Sequence, residues 1–138
     1  MLTFGTDGEV RACDVRLDEV LRPTFRLESP WGRAEVTLEA RGSHMVPNAL
    51  AAAAVGLVEG VRINDVAVGL ADARLSPWRM EVLEGPSGFT VVNDAYNANP
   101  TSMRAALAAL AALPGSGQRI AVLGVMAELG DGGPEAHR

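Results

Sequence analysis

Lysine is absent from this 138-residue chain, and all twelve basic side chains are arginine. A phosphate-binding loop of the G-x-x-x-x-G-K-[ST] type needs a lysine to reach the nucleotide phosphates, so these residues cannot supply one. Cysteine occurs once, at Cys13. That excludes a disulfide framework and a thiolate metal cluster, and a lone cysteine in an alternating segment reads as a small buried hydrophobe. Long apolar runs are missing as well. The longest, over residues 49–58, is alanine-rich, broken by Gly56 and far too short to span a bilayer. Residues 1–20 carry Asp7, Glu9, Arg11, Asp14 and Arg16, leaving no room for the apolar core of a signal peptide. The expectation is therefore a cytoplasmic protein without a membrane partner. The arginines are scattered and the formal net charge is −5, whereas nucleic-acid binding needs a basic stripe.

Hydrophobic residues make up 48% of the chain and charged residues 21%, a globular composition rather than a disordered one. The first forty residues read as β-structure. Thr24-Phe25-Arg26-Leu27-Glu28 and Ala34-Glu35-Val36-Thr37-Leu38 alternate as half-buried strands do, and Ser29-Pro30-Trp31-Gly32 has the composition of a type I turn between them. Residues 11–20 also alternate and predict a further strand. From Pro47 the period becomes helical: Leu50, Ala53, Ala54, Leu57 and Val58 form one stripe, Gly60 suits the stop, and the alanines at 51–54 would let the helix approach a sheet closely. A shorter helix should follow, with Asn64 as its N-cap and Asp65 in the first turn.

Beyond Leu75-Ser76-Pro77 the organisation changes again. Met80-Glu81-Val82-Leu83 and Phe89-Thr90-Val91-Val92 predict strands on either side of a Gly85-Pro86-Ser87-Gly88 turn. Asn99 and Pro100 suit the cap and first position of a helix running to Leu113, with Met103, Ala106, Leu107 and Leu110 on its buried face. Ile120-Ala121-Val122-Leu123-Gly124 reads as a fully buried parallel strand, which would make residues 89–124 a right-handed strand–helix–strand unit. A last helix should begin near His137. Ligands of parallel α/β sheets bind outside the carboxyl ends of the strands. That places Asp94, Tyr96, Asn97, Asn99 and residues 125–128 at one edge, as a generic nucleotide site or, equally well on these grounds, as a turn and a helix cap. Gly124-Val125-Met126 lacks the G-x-G-x-x-G spacing, so an NAD site is a poor reading.

Four segments carry a more specific signal. Asn93-Asp94-Ala95-Tyr96-Asn97-Ala98-Asn99-Pro100-Thr101-Ser102-Met103 resembles the D-D-S-Y-N-A-N-P-x-S-M signature of the D-Ala-D-Ala-adding ligases of the Mur ligase family. Gly42-Ser43-His44-Met45-Val46-Pro47-Asn48-Ala49-Leu50-Ala51-Ala52 is similar to their G-x-H-N-x-x-N-A-L-A-A. Trp78-Arg79-Met80-Glu81 resembles the passage between their central and C-terminal domains. Val122-Leu123-Gly124-Val125-Met126-Ala127-Glu128-Leu129-Gly130 resembles V-L-G-D-M-x-E-L-G, with His137 in the place of a following histidine. The segments occur in the family's order and at its spacing over residues 24–138.

The resemblance implies an α/β chain. Residues 1–75 would form the end of a central ATPase domain, a β-hairpin plus helices. Residues 76–138 would hold the first βαβ unit of a Rossmann-like C-terminal domain. It implies ATP-dependent amide-bond formation in cell-wall synthesis: the terminal carboxylate of UDP-N-acetylmuramoyl-tripeptide is phosphorylated, the amine of D-Ala-D-Ala attacks the acyl phosphate, and phosphate leaves. In the roles carried over, Asn48 contacts adenine and Arg79 reaches the ATP phosphates as the catalytic candidate. Asp94 binds the ribose, and Tyr96, Asn97 and Asn99 shape the adenine side. His44 is structural, beneath the helix start. The family's phosphate loop, carbamylated lysine and Mg²⁺-binding glutamate lie upstream of these motifs, so no metal ligand is assigned here, and the chain alone is expected to be an inactive monomer. Two departures stand out: Met45 replaces a polar amide and Val125 replaces an aspartate. A sibling amide ligase of the folylpolyglutamate synthase kind, or a non-catalytic nucleotide-binding remnant, remain open alternatives.

Overall fold

A computed structural model describes residues 1–137 and divides them into two compact units, Met1–Leu75 and the stretch from Ser76 onward. The fold is mixed α/β.

In the first unit, β1 (Arg11–Leu17), β2 (Pro23–Ser29) and β3 (Gly32–Thr37) form one antiparallel sheet in that order. Ser29 pairs with Gly32, so Pro30 and Trp31 alone make the turn, and Gly32 exits it at φ +127°, a conformation that glycine adopts without a Cβ penalty. β1 ends three residues short of the predicted Val20. Its pairing shifts between Cys13 and Arg16, where Asp14 takes a left-handed φ of +56°. This bulge re-aims the strand, and the Asp14 carboxylate meets the Arg26 guanidinium.

Helix α1 (Met45–Val58) begins two residues before Pro47. Its buried positions are Val46, Ala49, Leu50, Ala53, Ala54 and Leu57, at strict 3- and 4-residue spacing. The predicted stripe erred at its end, because Val58 is 58% exposed. The small residues that face the core are Ala49, Ala53 and Ala54 rather than a continuous run. The chain stops turning at Gly60 (φ +85°), whose N–H donates to the Leu57 carbonyl. In α2 (Ile63–Ala71) the cap position is Arg62, not Asn64, and no side chain caps it. Arg62 instead pairs with Asp65 one turn on, at 2.7 Å. Val66, Ala67 and Leu70 of α2 join Phe25, Leu27 and Val36 of the sheet, Leu38 just past β3, and the α1 stripe in one core.

The sheet carries one nearly buried charge. Glu28 accepts hydrogen bonds from Arg11 (2.9 Å) and Arg26 (3.1 Å), with Arg33 at 3.4 Å. Arg11 and Arg26 hold its carboxyl at about 2 rather than the usual 4.5. A lowered folded-state value means the stabilisation is complete above pH 4.5 and disappears as the pH falls toward 2. Melting temperatures measured across pH 5 to 2 should therefore fall less steeply in Glu28→Gln than in the parent. Equal slopes would mean that Glu28 does not govern acid sensitivity.

In the second unit, β4 (Glu81–Glu84) and β5 (Thr90–Asn93) pair antiparallel, with Val82 opposite Val92. The turn closes through the Gly85 N–H on the Phe89 carbonyl at 2.7 Å. Helix α3 (Pro100–Ala112) follows, and a short α4 (Gly133–Ala136) ends before His137 rather than starting there. On α3, Ala109 is the buried residue, while Leu107 is 41% exposed. The predicted strand over residues 120–124 is not formed: that segment has no regular structure, and Val122 is 94% exposed. The strand–helix part of the βαβ unit is present, and its closing strand is not. A buried parallel strand needs a hydrogen-bonded neighbour and cover on both faces; among the described residues, this unit offers it only a two-stranded antiparallel ribbon.

Two side chains hold the segment after α3 in place of strand pairing. The Arg119 guanidinium donates to the carbonyls of Leu110, Leu113 and Gly115, closing the C-terminus of α3. His137 accepts the Met126 N–H at Nε2 (2.8 Å) while Nδ1 lies 2.7 Å from the Gly133 carbonyl. With Nε2 accepting from Met126, the ring N–H is assigned to Nδ1, which faces the carbonyl.

Candidate functional site

Six of the seven predicted site residues fall in two clusters along the chain, one at the start of α1 and one around the β5–α3 connection; the seventh, Arg79, precedes β4. At α1, His44 occupies the N-cap position with helical dihedrals and makes no capping side-chain bond. Gly42 sits at φ +92°, and a Cβ there would run into the His44 ring. Glycine is favoured there by the backbone conformation, and any side chain would also displace the His44 ring. Asn48 is exposed in the first turn, and its amide lies 3.7 Å from the Met45 sulfur. A thioether is a weak acceptor, so Met45 leaves that carboxamide loosely held where a polar partner would fix it.

The second cluster is more tightly built. Asn93 ends β5, and Asp94 turns its carboxylate back across the hairpin, where Oδ1 accepts the Met80 N–H at 3.0 Å. Two residues on, the Tyr96 N–H donates to the Trp78 carbonyl at 3.1 Å. Between those anchors the Arg79 guanidinium carbon lies 3.9 Å from the centroid of the Tyr96 ring, a cation–π contact. Trp78 and Met80 both hold left-handed backbone, at φ +65° and +48°. Non-glycine residues adopt this at a cost, sustained here by the anchors on either side. Arg79, Asp94 and Tyr96 are therefore brought together. The segment closes with Asn97, whose Oδ1 accepts the Ala98 N–H (2.8 Å), and Asn99, whose Oδ1 accepts both the Thr101 and Ser102 N–H groups. The Ser102 hydroxyl reciprocates on the Asn99 N–H, completing a capping box. Asn99 thus acts in the structure as a helix cap.

Sequence reasoning found Asp94 and Arg79 separately but missed their connection through Met80, which bridges fourteen residues and leaves no local signature. It also missed Arg119, whose acceptor carbonyls lie four to nine residues away, and the Glu28 cluster, which joins Arg11 seventeen residues away to the nearer Arg26 and Arg33. Val125, expected at the edge of a buried strand, is 78% exposed. Val125→Asp therefore buries no charge, and the chain's stability should change by no more than about 0.5 kcal/mol. A melting temperature several degrees lower would place the side chain inside.

The chemistry available in the second unit is a cation, a carboxylate and two carboxamides on adjoining turns. Such a set can meet a phosphate, a ribose hydroxyl and a base. Among the described residues no three His, Cys, Asp or Glu side chains stand together as a metal site. No helix among them is long and apolar enough to cross a membrane.

Residues 78–138 match the family described as Mur ligase, glutamate ligase domain. The chain is 50% identical over 129 residues to UDP-N-acetylmuramoyl-tripeptide–D-alanyl-D-alanine ligase of Mycobacterium tuberculosis (strain ATCC 25618 / H37Rv), covering 90% of this chain and 25% of that protein. To the Escherichia coli (strain K12) ligase of the same name it is 40% identical over 106 residues, 77% of this chain and 23% of that one. Among solved structures, MurF from Acinetobacter baumannii superposes with a TM-score of 0.90 at 37% identity, over 99% of this chain and 29% of its own. MurF from Thermotoga maritima in complex with ADP gives 0.80 at 28% identity, over 99% and 31%. The chain spans about a quarter of the length of the curated relatives it matches. Motifs, fold and these likenesses together assign residues 78–138 to the Mur ligase family.

Proposed function

We propose that this segment works in an ATP-dependent ligase that joins D-Ala-D-Ala to UDP-N-acetylmuramoyl-tripeptide, as a cytoplasmic monomer. Residues 1–75 end its central ATP-binding domain and residues 76–138 begin its C-terminal domain. The observation that carries the reading is the Arg79–Tyr96–Asp94 cluster, lying inside the stretch that matches the family. A relative bearing the same fold binds ADP, which supports a nucleotide as the ligand.

The donor set suits that ligand. Arg79 carries an exposed positive charge for phosphate oxygens, and Asp94 keeps Oδ2 for a ribose hydroxyl beyond the oxygen committed to Met80. Asn97 and Asn99 offer amide N–H groups. Bound ATP supplies the phosphoryl group that activates the tripeptide carboxylate. These residues contribute by orienting the nucleotide and balancing its charge, which lowers the barrier through positioning and electrostatics. They form no magnesium site, and the ion's ligands are assigned to the remainder of the enzyme.

The test compares two proteins. A full-length ligase carrying this segment should release phosphate from ATP only when both UDP-tripeptide and D-Ala-D-Ala are present. The 138-residue chain, which has no lysine for a phosphate loop, should release none above background. Dependence on a different amino-acid acceptor would overturn the assignment in favour of a sibling ligase.

A further inference from the structure

We infer that Tyr96 is a positioning residue for Arg79: its ring holds the guanidinium in place while leaving the guanidinium's hydrogen-bond donors available to an anion. The inference rests on the nucleotide-site reading above. Its basis is the geometry of residues 78–80 and 94–96. The short span from Trp78 to Met80 is pinned at both ends, through its Trp78 carbonyl to the Tyr96 N–H and through its Met80 N–H to Asp94. Left-handed dihedrals at Trp78 and Met80 turn the chain sharply on either side of Arg79. The outcome is a guanidinium carbon 3.9 Å from the centroid of the Tyr96 ring.

The choice of a ring over a carboxylate matters chemically. A carboxylate partner engages the guanidinium edge, occupying two donors and cancelling the charge. A ring attracts the flat face of the cation and leaves all five N–H donors at its perimeter. Glu28 and its arginines show the first arrangement in this same chain. Arg79 shows the second, which suits a cation that must later bind phosphate oxygens. Tyr96 is 52% exposed, so its ring is not explained by core packing.

A double-mutant cycle in a full-length ligase carrying this segment tests the inference, with ATP as the varied ligand. An exposed cation–π contact corresponds to about a two- to fivefold change in an equilibrium. Tyr96→Leu should raise the KM for ATP by that factor with little change in kcat, and Tyr96→Phe, which retains the ring face, should restore it. In an Arg79→Met background, Tyr96→Leu should have no further effect on KM, because the residue acts through Arg79. If Arg79→Met raises KM but Tyr96→Leu is without effect, or acts equally in both backgrounds, the inference fails while the nucleotide site stands. If Arg79→Met leaves the ATP dependence unchanged, the site reading itself fails. Thermal melts of each variant identify any that fails to fold, and for such a variant Tyr96→Phe set against Tyr96→Trp decides, since both keep an aromatic face and should keep the parental KM; a KM raised in both would overturn the inference.

Discussion

Replacing Asp94 by alanine in a full-length ligase carrying this segment should impair ATP use by about ten- to a hundredfold in kcat/KM, the equivalent of a lost charge-assisted hydrogen bond of roughly 1.5–3 kcal/mol. The same substitution has a second cost. Asp94 Oδ1 is the acceptor for the Met80 N–H, and Met80 is 1% exposed. Stranding a buried donor costs about 1–3 kcal/mol of stability. Asp94→Asn separates the two effects, because its amide oxygen can still accept from Met80 while the negative charge is gone. The expected result is an Asn variant that melts near the parent yet shows a raised KM for ATP. If Asp94→Asn has parental kinetics, the carboxylate serves the turn alone and ribose binding must be assigned elsewhere.

The second large effect concerns the first unit. Phe25 is 1% exposed, within a core shared by the sheet and both helices. Truncating such a residue to alanine costs about 3–5 kcal/mol through lost transfer energy and the cavity left behind. A unit of this size has about 4–11 kcal/mol in total, at about 0.05–0.15 kcal/mol per residue. Phe25→Ala should accordingly lower the Tm of the first unit by about 12 °C or more, or leave it unfolded. Trp31, in the same unit, provides the control: it is 49% exposed, and its alanine variant should melt close to the parent. Comparable losses at the two positions would show that the core lies elsewhere.

Much of this architecture could be read from residue order alone, and the failures share a cause. The β2–β3 hairpin, α1 and the capped start of α3 rest on local rules: alternation, a stripe at 3.6-residue spacing, and an Asn-Pro start. Each was legible because partners lie within a few residues of one another. Val58 was misread because apolar character at a helix end does not reveal where the core stops. Residues 120–124 were misread for a related reason. An apolar run states a preference for burial, whereas a strand exists only where another strand pairs with it. Asn64 lost the cap position to Arg62, whose ion pair with Asp65 steadies the turn from outside. At the site, two motifs named Arg79, Asp94 and Tyr96, yet only the folded chain shows that they hold one another. Two hydrogen bonds and a ring contact spanning more than a dozen residues have no periodicity to detect.

The capping box at Asn99 fixes what this residue can say to a ligand. A carbonyl oxygen has two lone pairs, and Oδ1 of Asn99 spends both on the Thr101 and Ser102 amides. The hydrogen-bonding identity of the side chain is thereby decided, since only an oxygen can accept from those backbone donors. What it turns outward is an NH₂ group, able to address a ring nitrogen, a carbonyl or a phosphate oxygen, and mute toward a hydroxyl proton. Aspartate would cap the helix as well as asparagine does, but would face the same partner with lone pairs instead of protons. At this one position, folding tolerates either residue, and recognition of an acceptor requires the amide.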